Sequence, residues 1–169
     1  MYKRQFFDDV KTLYDLGAPE SGRIHVEQTY TDYRKGDSAK LDSLAYLPLT
    51  DVAVTDLDTA KKLPVGGTGT KTAKLEVPIA TDTQSAHLRI NGTLGKDKSY
   101  RLDPKDAGAL VFDRTLRGLR NTVLLPEGWD VSAVSQSATI GTYQGRVFVA
   151  LINLNEENQY RVVIHARKR

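Results

Sequence analysis

The sequence predicts an all-β fold, an antiparallel β-sandwich that is immunoglobulin-like in the broad sense, preceded by a short helical or irregular N-terminal segment. Three observations predict it. Apolar and polar residues alternate with period two in one run after another. Breakers rich in glycine and proline separate these runs at short, regular intervals. A helical period occurs once, close to the N-terminus.

Residues 1–5, MYKRQ, carry neither an apolar run nor a cap. They match in register the codons GTG TAT AAG AGA CAG, which end a transposon adapter used in sequencing libraries, with GTG read as a start. By this match they look like an adapter scar, as expected of a metagenomic fragment. Such a scar contributes nothing to the fold, and the native N-terminus is expected upstream. In FFDDVKTLYDL, residues 6–16, Phe6, Phe7, Val10, Leu13 and Tyr14 fall on one helical face. Gly17 and Pro19 then stop a helix, although the Phe and Tyr content also permits a strand. Residues 6–21 are therefore expected to be the remnant of an upstream segment or a linker, and 22–169 to form the sandwich.

From Gly22 onward the period is two. RIHVEQTYTDY sets Ile24, Val26, Gln28 and Tyr30 against Arg23, His25, Glu27, Thr29 and Thr31. KTAKLEVPI opposes Ala73, Leu75, Val77 and Ile79 to Lys74 and Glu76. SAHLRIN opposes Ala86, Leu88 and Ile90 to His87 and Arg89. ATDTQ lies between the last two, so residues 71–91 are expected to form a hairpin, with Pro78 tolerated near a strand end. One or two strands are expected near 44–54, followed by a long loop ending in GGTGT at 66–70. Loops of this kind on a β framework carry binding surfaces or simply accumulate insertions.

The second half is denser in strands: ALVFDR, NTVLL, WDVSAV, ATIGTY, RVFVALIN and YRVVIHAR. Arg117-Gly118, Pro126-Glu127-Gly128, Gln144-Gly145 and the polar NLNEEN separate them. RVFVALI is apolar on both parities, which predicts a central strand covered on both sides. YRVVIHAR alternates and is expected to be half exposed.

Composition excludes several classes of function. The chain has 169 residues, 40% hydrophobic and 27% charged, as a soluble globular domain has. Without Lys3 and Arg4 the balance is 22 basic against 21 acidic residues, and without the basic cluster Arg167, Lys168 and Arg169 it is 19 against 21. No basic stripe for nucleic acid is visible. No run is long enough to span a bilayer. The absence of cysteine excludes disulfides, thiolate metal sites and a cysteine nucleophile.

The chemistry-bearing residues form no convincing reactive set. GGTGTKT lacks the glycine before lysine and the following helix that a phosphate loop needs. His25, His87 and His165 sit on polar strand parities. If their strands were neighbours they could join Glu27 in a metal-dependent enzyme site, but no tight ligand spacing such as HxxxH or HxH exists, and exposed strand histidines are more often plain solvent-facing residues. Asp56 and Asp58, with Asp51 nearby, offer carboxylates to calcium, yet a calcium loop needs more ligands and a surface turn accounts for them. No nucleophile elbow is present. Trp129, Tyr143, Tyr46 and Tyr33 are the candidates for an aromatic platform that stacks on sugar rings. Trp129 shares parity with Val131 and Ala133, which favours a position at the core edge.

Residues 110–169 also resemble a β-sandwich module of uncharacterised exported bacterial proteins. The shared outline is LVFDR at Leu110 to Arg114, RN-x-V-x-LP-x-G-W at Arg120 to Trp129, Gly145-Arg146 before an apolar strand, and the basic end from Ala166 to Arg169. TYTDYRKGD and TDLDTAKKL are similar upstream. These are packing and turn signatures, so the resemblance implies an exported fold module and no catalytic residue. The expected function is a non-catalytic module of a larger exported, extracytoplasmic bacterial protein, with a structural or interaction role. Its expected partners are neighbouring domains of the same parent chain, or a glycan or protein, and no cofactor is expected. A carbohydrate-binding module, with loop aromatics and calcium, is the alternative.

Overall fold

The computed structural model describes residues 11–33, 40–42, 49–65, 76–78, 85–96, 98–154 and 159–169. All regular elements there are strands: β1 (Lys11–Leu16), β2 (Ile24–Tyr33), β3 (Lys40–Asp42), β4 (Thr50–Asp56), β5 (Lys62–Leu63), β6 (Glu76–Pro78), β7 (Ser85–Leu94), β8 (Tyr100–Asp103), β9 (Asp106–Arg117), β10 (Arg120–Leu124), β11 (Trp129–Val134), β12 (Thr139–Tyr143), β13 (Arg146–Ile152) and β14 (Gln159–Lys168). An eight-stranded sheet runs β12-β13-β10-β1-β2-β7-β4-β5, and a four-stranded sheet runs β11-β14-β9-β8. One hydrophobic core draws residues from both, so the two sheets form a sandwich. A separate two-stranded sheet pairs β3 with β6.

The inner faces follow the alternation in the sequence. Ile24, Val26 and Tyr30 on β2, Leu88 and Ile90 on β7, and Val147, Val149 and Leu151 on β13 are buried. Of these, Ile24, Val26, Val147, Val149 and Leu151 share one core with Leu110, Phe112 and Leu116 of β9 and Val162, Ile164 and Ala166 of β14. Tyr14 and Phe112 join the sheets directly, with ring centroids 5.8 Å apart and planes tilted by 58°. Such a pair is worth about 0.5–1.5 kcal/mol beyond the area it buries.

Three expectations need correction. Residues 11–16 are a strand, not a helix, and not a linker remnant. β1 pairs antiparallel with β2 and parallel with β10, which also makes the sandwich not wholly antiparallel. Tyr14 and Leu16 are core residues. The helical period competed with a period of two in the same residues, and hydrogen bonding on both sides decides for the strand. Nor do the described residues of 71–91 form the expected hairpin: β6 pairs with β3, whereas β7 lies between β2 and β4. Finally, β13 alternates between buried and partly exposed residues, so its outer face is not covered. Phe6, Phe7, Val10, Ala73, Leu75, Ile79 and the loop at 66–70 lie outside the described residues.

Arg146 ties the centre of the large sheet together. Its Nε donates to the Leu125 carbonyl at 2.8 Å. Its Nη2 donates to Asp15 Oδ1 at 2.6 Å and to the Leu16 carbonyl at 3.2 Å. One guanidinium thus links β13 to the ends of β10 and β1. The Tyr100 hydroxyl donates to the Gly17 carbonyl at 2.6 Å, closing the same end from the small sheet. Burial, then the negative charge of Glu20, raise the Tyr100 pKa well above its usual value, with Arg146 opposing. The phenol therefore stays protonated and able to donate.

Because Tyr14 is fully buried between the sheets, Tyr14→Ala should lose about 3–5 kcal/mol in urea unfolding at 25 °C. A loss below about 1 kcal/mol would return residues 11–16 to the status of a linker.

Candidate functional site

The two outer faces of the sandwich differ in chemistry. That of the small sheet is charged and internally matched. Arg161 on β14 grips Asp113 on β9 with two bonds, Nε to Oδ1 at 2.8 Å and Nη2 to Oδ2 at 2.7 Å. Arg167 reaches Asp106 at 2.6 Å, and Arg169 reaches Asp130 at 2.8 Å. The basic C-terminal cluster is therefore largely neutralised by carboxylates rather than held open for phosphate. Exposed pairs of this kind contribute little stability, but they fix strand register and keep the face in water. The Arg161 hydrogen bond is the main cause of a lowered Asp113 pKa, opposed by burial and supported by the Arg161 charge.

The outer face of the large sheet is poorer in charge on one side. Pairing puts Ala150 and Phe148 of β13 beside Thr122 and Leu124 of β10, which lie beside Leu13 and Asp15 of β1. Ile152 at the end of β13 pairs with Arg120 and is exposed, as are Leu154 and Leu119 nearby. The Asn153 N–H donates to the Leu119 carbonyl at 2.8 Å, holding these three residues at one end of the sheet. On the other side, β2 and β7 present His25, Glu27, Thr29, Arg89 and His87, with Arg89 3.6 Å from Glu27. The apolar end can bury surface against a partner.

The histidines do not converge. His25 pairs with Thr93 and His87 with Thr31, so they lie six positions apart along β2, about 20 Å. His165 is on β14, on the outer face of the other sheet. The enzyme site around His25, Glu27, His87 and His165 is thus ruled out by geometry. Among the described residues, no group of three or more histidine and carboxylate side chains could hold a metal.

Asp56 and Asp58 build a turn. Asp56 Oδ1 accepts the N–H groups of Asp58 and Thr59 at 2.8 and 3.1 Å. Burial raises the Asp56 pKa, but these backbone N–H groups more than offset it and the net shift is downward. Asp58 Oδ1 lies 3.0 Å from His87 Nδ1. Both carboxylates are engaged in protein contacts, as a surface turn requires.

Trp129 is only 6% exposed and belongs to the core, so no ring face is open to a sugar. Tyr143 is 59% exposed, at the hairpin between β12 and β13. Tyr46 lies outside the described residues, and of Tyr33 only the backbone, at the end of β2, is described. Sequence reasoning missed Leu119, Ile140, Phe148, Ile152 and Leu154 as surface residues. For Phe148 and Ile152 the signal was present in RVFVALI, whose second apolar parity marks an apolar outer face rather than burial on both sides.

No family model and no curated protein sequence matches the chain. Solved structures do match in fold. An aminopeptidase N family protein from Idiomarina loihiensis aligns with a TM-score of 0.54 at 12% identity, over 92% of this chain and 29% of that one. An M1 zinc metallopeptidase from Deinococcus radiodurans gives 0.54 at 12%, over 94% and 41%. Native yeast LTA4 hydrolase gives 0.52 at 11%, over 97% and 31%. This chain spans less than half the length of each. At such identity the likeness is one of fold: the whole sandwich is similar to a part of these larger chains.

Two measurements follow from the site. Asp113 has a depressed folded pKa, so its contribution is complete above about pH 4, its unfolded range, and disappears as pH falls through the folded value. The difference in melting temperature between the parent chain and Asp113→Asn should therefore narrow from pH 4 towards pH 2. A difference independent of pH would contradict the pairing. Trp129 is the single tryptophan, so its emission should be blue-shifted and unchanged by added oligosaccharides; a sugar-dependent shift would reopen the carbohydrate reading.

Proposed function

We propose that this chain is the non-catalytic β-sandwich module of a larger exported bacterial protein, and that the parent is a zinc peptidase whose catalytic segment lies outside these 169 residues. One observation carries this reading. The fold agrees over 92–97% of this chain with 29–41% of chains named as aminopeptidase, zinc metallopeptidase and hydrolase. The resemblance in residues 110–169 supports export. The residues present do not fit a catalytic zinc centre. No His-Glu-x-x-His motif occurs in the sequence, and the three histidines are held apart by the sheets.

In this reading the module acts by packing. The exposed end formed by Leu119, Ile152 and Leu154 is the surface that meets the neighbouring domain, while the Arg–Asp face stays in water. Exposed apolar clusters on an otherwise charged surface mark interaction sites.

Recovery of the flanking coding sequence tests the proposal. A His-Glu-x-x-His helix in the adjoining segment is the expected result. An adjoining segment with no metal-ligand motif would refute the peptidase parent. The purified chain should also fail to hydrolyse aminoacyl p-nitroanilides with zinc present, and zinc-dependent turnover would refute the non-catalytic role. Fractionation of the source cells should place the parent outside the cytoplasm.

A further inference from the structure

The edges of the two main sheets are not equally protected. An unpaired edge offers a row of N–H and C=O groups to any passing strand, and proteins blunt it with charge, proline, bulges or brevity. β5 has two residues, one of them Lys62, and is followed by Pro64. β8 carries Arg101 and Asp103, with a register shift between Leu102 and Asp103. β11 carries Asp130 and a shift between Val131 and Ala133. β12, Thr-Ile-Gly-Thr-Tyr, has none of these: no charge, no proline, and an unbroken register with β13 from Thr139 to Tyr143.

The free groups of β12 follow from its turn. Gln144 and Gly145 both have positive φ, 50° and 76°, as a two-residue type I′ turn requires. Tyr143 and Arg146 therefore exchange hydrogen bonds across the hairpin, and alternation turns the backbone groups of Thr142 and Ile140 to the open side. These two positions are symmetric about Gly141. Ile140 is 54% and Tyr143 59% exposed. Phe148 lies over Gly141, where an added Cβ would be 2.5 Å from the ring, and so extends the apolar surface to the edge.

We propose that β12 pairs antiparallel with β12 of a second copy of this chain, about a two-fold axis at Gly141. In that register Ile140 of one copy faces Thr142 of the other, and each such pair exchanges two backbone hydrogen bonds. No charge is brought against its own kind, because β12 carries none and the Arg146 guanidinium is held by Asp15. The large sheets become continuous across the axis. A five-residue strand buries less than the roughly 1,000 Å² of a firm interface, so the dimer is weak and depends on concentration. The pairing concerns this chain alone and does not depend on the identity of the parent protein.

Sedimentation equilibrium on the intact chain from micromolar to near-millimolar concentration tests it. The mass should rise from monomer towards dimer. Thr142→Pro removes an outward N–H while sparing the β13 ladder, and Ile140→Lys adds the missing charge. Each should weaken association at least about tenfold, with circular dichroism unchanged as the check on folding. A monomer at every concentration, including one that pairs only with strands of other proteins, would overturn the proposal. A dimer indifferent to both variants would overturn it too.

Discussion

The parallel pairing of β1 with β10 is the constraint on which the large sheet depends. Remove β1 and the sheet falls into two pieces, β12-β13-β10 on one side and β2-β7-β4-β5 on the other. Each would expose an inner edge whose N–H and C=O groups are now paired, and buried backbone groups left unpaired are costly. β1 comes first in the described chain, yet it joins elements that follow it at once, through Thr29 and Val26, to elements a hundred residues later, through Arg120 and Val123. Arg146 and the Tyr14–Phe112 contact seal this seam from the sheet end and from the core.

The seam explains how the buried polar residues can be tolerated. Asn121 on β10, Thr12 on β1 and Gln28 on β2 are in register across it. Gln28 Nε2 donates to Thr12 Oγ1 at 3.3 Å. Asn121 Nδ2 donates to the Arg117 carbonyl at 3.1 Å and to the Tyr160 hydroxyl at 3.2 Å. Asn121 therefore anchors the turn by which the chain leaves the small sheet at β9 and enters the large one at β10. These contacts are directional where the apolar core is not, and so favour one register over its neighbours.

Much of the fold was legible because alternation is local. WDVSAV, RVFVALI and the terminal YRVVIHAR correspond closely to β11, β13 and β14, and Gly118, Gly128 and Gly145 supply the positive φ their turns need. Strand partners were not legible. β6 had the right period but pairs with β3, a choice made by residues far away in sequence. β1 was misread because Leu13 and Tyr14 suit a helical face, while the burial of Thr12 depends on its register between Gln28 and Asn121. At the candidate site, the polar parity of His25, His87 and His165 was readable, whereas their separation is a property of sheet order. Trp129 was correctly weighted towards the core. The exposed apolar end was the reverse case, since an apolar strand face looks the same in sequence whether or not another layer covers it.

Native-state hydrogen exchange tests the central role of β1 most directly. If the seam holds the sheet together, the amides of residues 12–16 exchange only by global unfolding, with the same free energy as those of β10 and β13. If the β1 amides instead exchange by local opening while β10 and β13 stay protected, the sheet does not depend on β1.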